Sequence, residues 1–319
     1  MIKKIAEGIR QNKNIIEKKD ISPIVHYIEK NSFKNRSRIF SDIGEDSAAI
    51  NDGNSFFLLT TDRIKTEFIK KFPFGAGFSS ILVGVDDIYC CGGTPLAASI
   101  IISFKDSGKG QQIIEVISEG SRKFKVPIVR GHTNPSGWYE LSSTMVGEIK
   151  KKNYISAKNA QVNDNIIVAV DFDGKVGKAS NMYWDNTTFK SSEEVLKKRK
   201  SLNIIAERHL ANSSKDISNG GVFGTLLQLI KYSNVGASVN LNDIEIPPKL
   251  LELGYTLDIY VNMFLSTSYI LTAPDINCKP MLQVFKNHGM EAKVIGKIIK
   301  EKHLLKINDG KDSLDVIKF

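Results

Sequence analysis

The sequence of 319 residues lacks both a cysteine framework and a long apolar run. Its three cysteines are the adjacent pair Cys90 and Cys91 and the distant Cys278, a spacing that gives neither a disulfide scaffold nor a Cys-x-x-Cys metal site. No apolar segment approaches the roughly 20 residues of a membrane span. The first ten residues alternate charged and apolar side chains, unlike the apolar core of a signal peptide. We therefore expect a soluble protein of the reducing cytoplasm, with no membrane partner.

Several motifs of well-known chemistry are also missing. The sequence contains no Gly-x4-Gly-Lys-Ser/Thr phrase, no Gly-x-Ser-x-Gly phrase and no His-Glu-x-x-His phrase. Their absence excludes a P-loop ATPase and gives no support to a hydrolase with a nucleophile elbow or to a zinc protease helix.

Basic residues outnumber acidic ones by 44 to 35, which gives a formal net charge of +9. Such a charge suits an anionic partner, either a nucleic acid or a metabolite. The lysines are nevertheless spread thinly, and arginines are not interleaved with aromatic residues as they are on single-strand binding platforms. The densest basic cluster, residues 197–200, lies in a segment of helical character, and we interpret it as a solvated helix face. No nucleic-acid partner is expected.

What the sequence does contain is an alternation of short apolar runs with amphipathic segments, which is typical of α/β proteins. Predicted helices cover residues 2–9, 24–28, 78–89, 111–124, 222–232 and 281–288. Predicted strands cover residues 56–61, 96–104, 126–130, 139–149, 165–170, 237–241, 269–273 and 292–298. The polar stretch at residues 150–164 indicates a boundary, so we predict an amino-terminal domain at residues 1–155 and a carboxy-terminal domain at residues 156–319.

Three carboxylates surround a glycine in the loop that contains Asp42, Gly44, Glu45 and Asp46, immediately before small apolar residues. Clustered acids repel one another and are costly to bury, so such a loop either holds a cation or stays in water. By itself the loop could be a solvated acidic turn. Four further motifs favour binding of Mg²⁺ and phosphate instead.

Two of these motifs add carboxylates in the first half of the chain. Thr60-Thr61-Asp62 places an acid at the exit of a predicted strand, where ligand crevices of α/β folds are common, although Asp62 could also cap the next segment. Asp86 and Asp87 lie in an otherwise apolar helix, which is costly unless they face water or a cation. An exposed acidic helix face is the competing interpretation.

Two glycine-containing motifs could hold an anion. Gly131-His132-Thr133 follows a predicted strand; glycine permits close approach of the backbone, and the two side chains can donate to phosphate oxygens. Asp216 precedes Gly220-Gly221, a bend that leads into a predicted helix whose first N–H groups could bind an anion. An ordinary turn and an ordinary helix start are the alternatives.

In this order the five motifs resemble those of the aminoimidazole ribonucleotide synthetase superfamily, which includes thiamine-monophosphate kinase, selenophosphate synthetase and the hydrogenase maturation protein E. The resemblance covers about residues 5–297. The lead segment, residues 5–21, and the phrase Phe72-Pro73-Phe74-Gly75-Ala76-Gly77 are most similar to the AIR synthase-related branch.

The resemblance implies a two-domain α/β (α+β) PurM-like fold. In this fold the amino-terminal domain pairs with a second subunit to build a β-barrel, with ATP near the dimer interface, so a homodimer is expected. The implied reaction is ATP- and Mg²⁺-dependent phosphoryl transfer to a small-molecule acceptor. Carboxylates, Mg²⁺ and glycine-rich backbone suffice for it, because phosphoryl transfer depends mainly on positioning and charge neutralisation.

The resemblance also implies roles for individual residues. The metal candidates are Asp42, Glu45, Asp46, Asp62, Asp87 and Asp216, of which Asp46 and Asp216 are also the catalytic candidates. The candidates for nucleotide contact are Gly44, Thr61, Gly131, His132, Thr133, Gly220 and Gly221. Mg²⁺ keeps several waters and takes one or two carboxylates per ion, so two or more ions would account for the number of acids.

Departures from the family pattern narrow the activity. No cysteine precedes Cys90 and none lies among residues 315–319, which disfavours the selenophosphate synthetase and hydrogenase maturation activities. The phrases around Asp87 and Gly131 differ from those of thiamine-monophosphate kinase, so that activity ranks second. We predict an ATP-dependent kinase or synthetase (ligase-like) that acts on an unidentified metabolite. The alternative is a nucleotide-binding protein without turnover, a sensor or assembly partner.

Overall fold

The computed structural model describes residues 1–20, 22–33, 36–178 and 180–318, and only the backbone of Lys19, Asp20, Ser22 and Pro135. Ile21, which ends the lead segment, and Phe319 lie outside the described residues. The strands are β1 (Ile39–Ser41), β2 (Ala48–Asp52), β3 (Ser55–Arg63), β4 (Thr94–Phe104), β5 (Ile128–Pro135), β6 (Glu140–Lys150), β7 (Asn165–Val170), β8 (Lys175–Val176), β9 (Tyr183–Asp185), β10 (Ser213–Asp216), β11 (Gly236–Asn240), β12 (Phe264–Leu265), β13 (Ser268–Ala273), β14 (Glu291–Ile299), β15 (Leu304–Asn308) and β16 (Ser313–Lys318).

The helices are α1 (Ile2–Gln11), α2 (Lys13–Asp20), α3 (Ser22–Asn31), α4 (Thr66–Lys71), α5 (Pro73–Cys90), α6 (Ser107–Phe124), α7 (Ser192–Glu207), α8 (Gly221–Tyr232), α9 (Pro248–Glu252), α10 (Leu257–Tyr260) and α11 (Asp275–Asn287). Short 3-10 turns occupy Lys151–Asn153 and Leu241–Asp243. Among the described residues, none of these helices has the length and apolar character needed to cross a membrane.

Two mixed sheets form the framework of the molecule. The first has the spatial order β1-β2-β3-β6-β4-β5 and is antiparallel except between β4 and β5. The second has the order β10-β13-β7-β14-β11-β15-β16, with β11 and β15 parallel. A small third sheet, β12-β9-β8, belongs to the second half of the chain. The mixed sheets and their helices confirm the predicted two-domain α/β fold.

Helix α5 packs along the inner face of the first sheet. On β3, Phe56, Leu58 and Thr60 are buried and alternate with exposed residues, as expected for a strand with one covered face. Gly84 of α5 lies so close to β6 that an added Cβ atom would be 3.0 Å from Cβ of Met145. This packing fixes the last turns of α5, which carry Asp87, against β3 and β6.

The first two helices pack with the second half of the chain. Ile2, Ile5 and Ile9 follow the helical spacing and are buried in the core that covers the second sheet. Ile15 of α2 joins the same core and lies against the bend at Gly220. The division of the chain at residues 155 and 156 stays a prediction, and the packing of α1 and α2 crosses it.

Two of the differences from the sequence-based expectation bear on the site. Gly131-His132-Thr133 is not a turn after a strand, because β5 continues through these residues and pairs with β4 in parallel as far as Phe104. Strand β10 was not predicted, since its residues Ser213, Ser214, Lys215 and Asp216 are all polar and show no apolar alternation.

The basic cluster at residues 197–200 is only in part the solvated helix face that was predicted, because Lys197 and Lys200 are exposed but Arg199 is not. It lies on α7, where the fully buried Arg199 forms a two-pronged ion pair with Asp86 of α5, at 2.8 and 3.0 Å. The Tyr269 hydroxyl donates to the same carboxylate at 3.0 Å, and Arg199 also donates to the Ser266 carbonyl at 3.2 Å. Burial raises the pKa of Asp86 to about 6, and the charge of Arg199 opposes that rise. This network joins the two halves of the chain.

Replacing Arg199 with methionine should lower the free energy of unfolding by about 3–5 kcal/mol, because Asp86 would remain buried without its counter-charge. Urea denaturation followed by circular dichroism measures the loss. The control is Lys293→Met, which breaks an exposed pair with Glu245 at 2.7 Å and should cost less than about 1 kcal/mol. Equal losses in the two variants would contradict a structural role for the buried pair.

Candidate active site

Four of the six predicted metal-binding acids come together near the carboxy-terminal end of α5. Asp87 of α5 forms a side-chain hydrogen bond with Asp62 of β3. Asp46, from the loop between β1 and β2, and Asp216, at the end of β10, have carboxylate oxygens within 4.8 Å of each other and of the Cys90 sulfur. The charge of Asp216 also acts on both Asp62 and Asp87. The four acids therefore form one cluster, assembled from both sheets.

The alternation of side chains along β3 decides which of its polar residues face this cluster. Thr60 and Asp62 are two residues apart and therefore point to the same face of the sheet. The Thr60 hydroxyl donates to Asp87 Oδ2 at 2.5 Å. Thr61 points to the opposite face, where its hydroxyl lies 3.0 Å from that of Thr144. Thr60 thus contacts the acids, and the nucleotide contact of Thr61 stays a prediction.

Two lysines accompany the acids. Lys215 Nζ forms an ion pair with Asp46 Oδ1, and both side chains are largely buried, at 8% and 4% exposed. Lys18 of α2 approaches from the amino-terminal segment, with its Nζ donating to Ser218 Oγ at 3.0 Å and to Gln228 Oε1 at 2.8 Å. Both ammonium groups act on the charge of Asp216, so the cluster combines acidic and basic groups.

Burial and mutual repulsion perturb the acids. Burial and the carboxylates of Asp62 and Asp216 raise the pKa of Asp87 well above its usual range. Burial also raises the pKa values of Asp62 and Asp216, and for Asp216 the charges of the two lysines oppose the rise. Two adjoining carboxylates are costly to ionise together, because like charges repel where water is scarce. A divalent cation between them would neutralise that repulsion.

Two buried oxygens, Asp46 Oδ2 and Asp62 Oδ2, have no hydrogen-bond partner among the described residues. An unpaired carboxylate oxygen is costly to bury, and carboxylate oxygens are the protein ligands that Mg²⁺ prefers. The donor set therefore fits one or more divalent cations.

The other two predicted metal ligands have different partners. Asp42 forms ion pairs with Arg36 and with Lys158, the latter at 3.6 Å. Glu45 accepts a hydrogen bond from the Ala157 backbone N–H at 2.6 Å, which ties the acidic loop to the segment between the two sheets. The structure does not bring either carboxylate into the cluster, and their roles as ligands stay predictions.

The predicted nucleotide-contacting glycines lie in three places. Gly44 has φ +95°, and its Cα faces the ring of Tyr232, since an added Cβ would lie 2.4 Å from that ring. Gly220 and Gly221 lead from Asp216 into α8, close to the cluster; an added Cβ on Gly221 would lie 2.1 Å from a backbone carbonyl. Gly131-His132-Thr133 lies on β5. Strands β6 and β4 separate β5 from β3, about 14 Å at the usual strand spacing.

Sequence reasoning missed Thr60, Cys90, Lys18 and Lys215 as members of the site. Lys215 was detectable in principle, because it stands beside Asp216 in a segment with few other charges. Lys18 gave no signal: it is one of 44 basic residues, and only the packing of α2 on the second half brings it to the acids.

Sequence profiles identify the family of this chain. The profile of the AIR synthase related protein N-terminal domain matches residues 44–149, and that of the C-terminal domain matches residues 165–305. The chain belongs to the AIR synthase related family. The first profile covers most of the first sheet, and the second profile covers most of the second sheet. The acidic cluster contains residues from both matched segments.

Two relatives illustrate the range of this family. An uncharacterized protein of Methanocaldococcus jannaschii is 35% identical over 100% of this chain and 97% of its own length. The thiamine-monophosphate kinase of Buchnera aphidicola (subspecies Schizaphis graminum) is 26% identical over 76% of this chain and 79% of its own length.

Two solved structures share the fold. The ThiL structure complexed with AMPPCP and TMP has a TM-score of 0.66 and 18% identity, and the match covers 94% of this chain and 98% of ThiL. Thermotoga maritima PurL complexed with ADP has a TM-score of 0.72 and 15% identity. The match with PurL covers 88% of this chain and 46% of the PurL chain. At these identities the comparisons establish the fold alone.

Lys18 should titrate near neutral pH. Burial, then the charge of Lys215, lowers the pKa of Lys18 to about 7, against the effect of Asp216 and Asp87. An unfolded lysine keeps its proton up to a pH of about 10.4. Between about pH 7 and pH 10.4 the unfolded state therefore binds one more proton than the folded state, so the free energy of unfolding rises with pH over this range.

We expect one lysine side-chain NMR signal with a midpoint near pH 7, measured with lysine labelled at Cε, and we expect Lys18→Gln to remove that signal. If no lysine signal titrates between about pH 6 and 8, or if the signal persists in the variant, the described burial of Lys18 is contradicted.

Proposed function

We propose that this protein catalyses ATP- and Mg²⁺-dependent phosphoryl transfer to a small metabolite, or its activation at the expense of ATP. The observation that carries the proposal is the convergence of four half-buried carboxylates with the half-buried Lys18 and the buried Lys215 at one site. Most of these charges are costly to bury, and a structural role would need far fewer of them. Perturbed titrating groups in such number are typical of catalytic sites.

The acids of the cluster have a proposed role in cation binding, and Thr60 supports one of them. The four acids would hold divalent cations, with Asp62 and Asp87 as the ligands of Mg²⁺, which when bound neutralises phosphate charge and polarises phosphoryl oxygens. Thr60 donates to Asp87 Oδ2 and orients its carboxylate.

The lysines and the glycine bend complete the site. Lys18 and Lys215 would bind anionic oxygens of the phosphate chain or of the acceptor, because their ammonium groups already face carboxylates. Gly220 and Gly221 would let the start of α8 approach a phosphate closely. Carboxylates, lysines and a glycine bend suit direct transfer from ATP to the acceptor, because that reaction depends mainly on positioning and charge neutralisation.

The relatives support ATP as the phosphoryl donor. One is a thiamine-monophosphate kinase, and solved structures of this fold are complexed with ADP and with AMPPCP, an ATP analogue. The relatives do not identify the phosphoryl acceptor, because the motifs around Asp87 and Gly131 depart from those of thiamine-monophosphate kinase. We therefore propose the reaction class and a small-molecule acceptor without naming it.

We also propose that the chain is a homodimer built through the outer face of the first sheet. Phe57 and Leu59 on β3 are each 38% exposed, and Ile101 on β4 is 50% exposed. His132 pairs with Ile101 and thus belongs to the same face. A partner on this face would cover the apolar residues and would bring Gly131-His132-Thr133 into the interface, near which the nucleotide is expected.

Asp87→Asn should reduce ATP turnover at least about 100-fold, as expected when a group that organises charge at a phosphoryl centre is lost. The assay is release of ADP in Mg²⁺ and in EDTA, alone and with a panel of small carboxylates, amides and phosphate monoesters. The control is Asp312→Asn, in the exposed turn between β15 and β16, which should match the wild type. ATP binding without turnover across the panel would contradict an enzymatic role.

Light scattering after gel filtration should give a mass of twice the 35.5 kDa of one chain. Leu59→Asp places a charge in the proposed interface and should shift the protein to the monomer mass. Ile276→Asp is the control, because Ile276 is 82% exposed on α11, away from the first sheet. A monomeric wild type at micromolar concentration, or dissociation by both variants, would contradict this interface.

A further inference from the structure

Cys90 belongs to the polar site. Its sulfur and the carboxylate oxygens of Asp46 and Asp216 lie within 4.8 Å of one another, and its side chain is 0% exposed. Cys90 follows Asp87 by three residues, so the two lie on the same side of α5. The neighbouring Cys91 has different surroundings, since its thiol contacts Ser47.

The donor set of Asp46, Cys90 and Asp216 differs from that of an ordinary Mg²⁺ site. Mg²⁺ takes oxygen ligands, whereas thiolate sulfur selects softer divalent ions such as Zn²⁺, Co²⁺ and Cd²⁺. Three protein ligands on three separate elements leave one position of a tetrahedral ion open, as in catalytic zinc sites. Structural zinc sites, in contrast, use four protein ligands. The chemistry of these ligands thus matches a second kind of cation.

A separate observation also points to a cation at this position. Asp46 is 4% exposed, and its Oδ2 is buried without a partner among the described residues, while its Oδ1 pairs with Lys215. One oxygen therefore remains for a metal ion even when Lys215 stays in place. The Asp62–Asp87 pair is held separately by Thr60, so its oxygens are not needed for this second position.

We propose that Asp46, Cys90 and Asp216 bind a thiophilic divalent cation of the zinc class, beside a Mg²⁺ position at Asp62 and Asp87. This proposal rests on the cation-binding role given to the cluster in the proposed function, and it does not require turnover. On binding, the S–H bond of Cys90 breaks, the proton passes to water and a sulfur–metal bond forms, with no change of oxidation state.

Cd²⁺ is the probe, because its bond to thiolate gives a charge-transfer absorption band in the ultraviolet. We expect the Cys91→Ala, Cys278→Ala double variant, which keeps Cys90, to develop this band and to saturate at a single equivalent of Cd²⁺. Adding Cys90→Ala should abolish the band and weaken Cd²⁺ binding at least about tenfold, a loss that even outer-shell partners of metal sites produce. Asp46→Asn in the double variant should keep the band but weaken binding.

Thermal melting and circular dichroism establish that each variant is folded. A folded double variant without the band overturns the proposal, and so does a band that survives the loss of Cys90. The wild-type protein, assayed in parallel with Mg²⁺ and ATP, separates this inference from the proposed function. Turnover without the band contradicts only the thiolate site, whereas the band without turnover contradicts only phosphoryl transfer.

Discussion

The cost of removing clustered carboxylates from water is the constraint on which the rest of the structure depends. Asp46, Asp62, Asp87 and Asp216 are half-buried in one cluster, and the charges of Asp62 and Asp216 add to burial in raising the energy of the charged form of Asp87. The chain offsets this with Lys215 on Asp46, Thr60 on Asp87 and the charge of Lys18. Unpaired oxygens remain, which is why a cation is the natural complement of the cluster.

Helix α5 links stability to the site. Two adjacent acids of this helix have opposite roles: Asp86 is neutralised by the guanidinium of Arg199, whereas Asp87 is left to the cluster. Adjacent helical residues point about 100° apart, so a single helix can face a buried arginine and a cation site at once. The ion pair holds α5 between the two halves and thereby fixes where Asp87 and Cys90 lie.

The amino-terminal helices connect the halves in a second way. Because α1 and α2 pack on the core of the second sheet, they bring Lys18 over the bend that follows Asp216. The site is thus composed of residues from the amino terminus, the first sheet and the second sheet, so it exists only when both halves are folded and docked. Membership of the AIR synthase related family accounts for the framework of the two sheets.

The sequence by itself determined the α/β class, most of the helices and strands and the acids of the cluster, because apolar periodicity and short motifs are local properties of the chain. It could not determine which of those acids converge. Asp42 and Glu45 share a loop with Asp46 yet pair with Arg36 and Ala157, and the strand alternation that selects Thr60 over Thr61 depends on which face of β3 is covered. The cluster that contains Arg199 was interpreted as a solvated helix face, and Lys18 and Lys215 were not singled out. Only the tertiary structure decided their burial, since long side chains take their partners from elements far away in sequence.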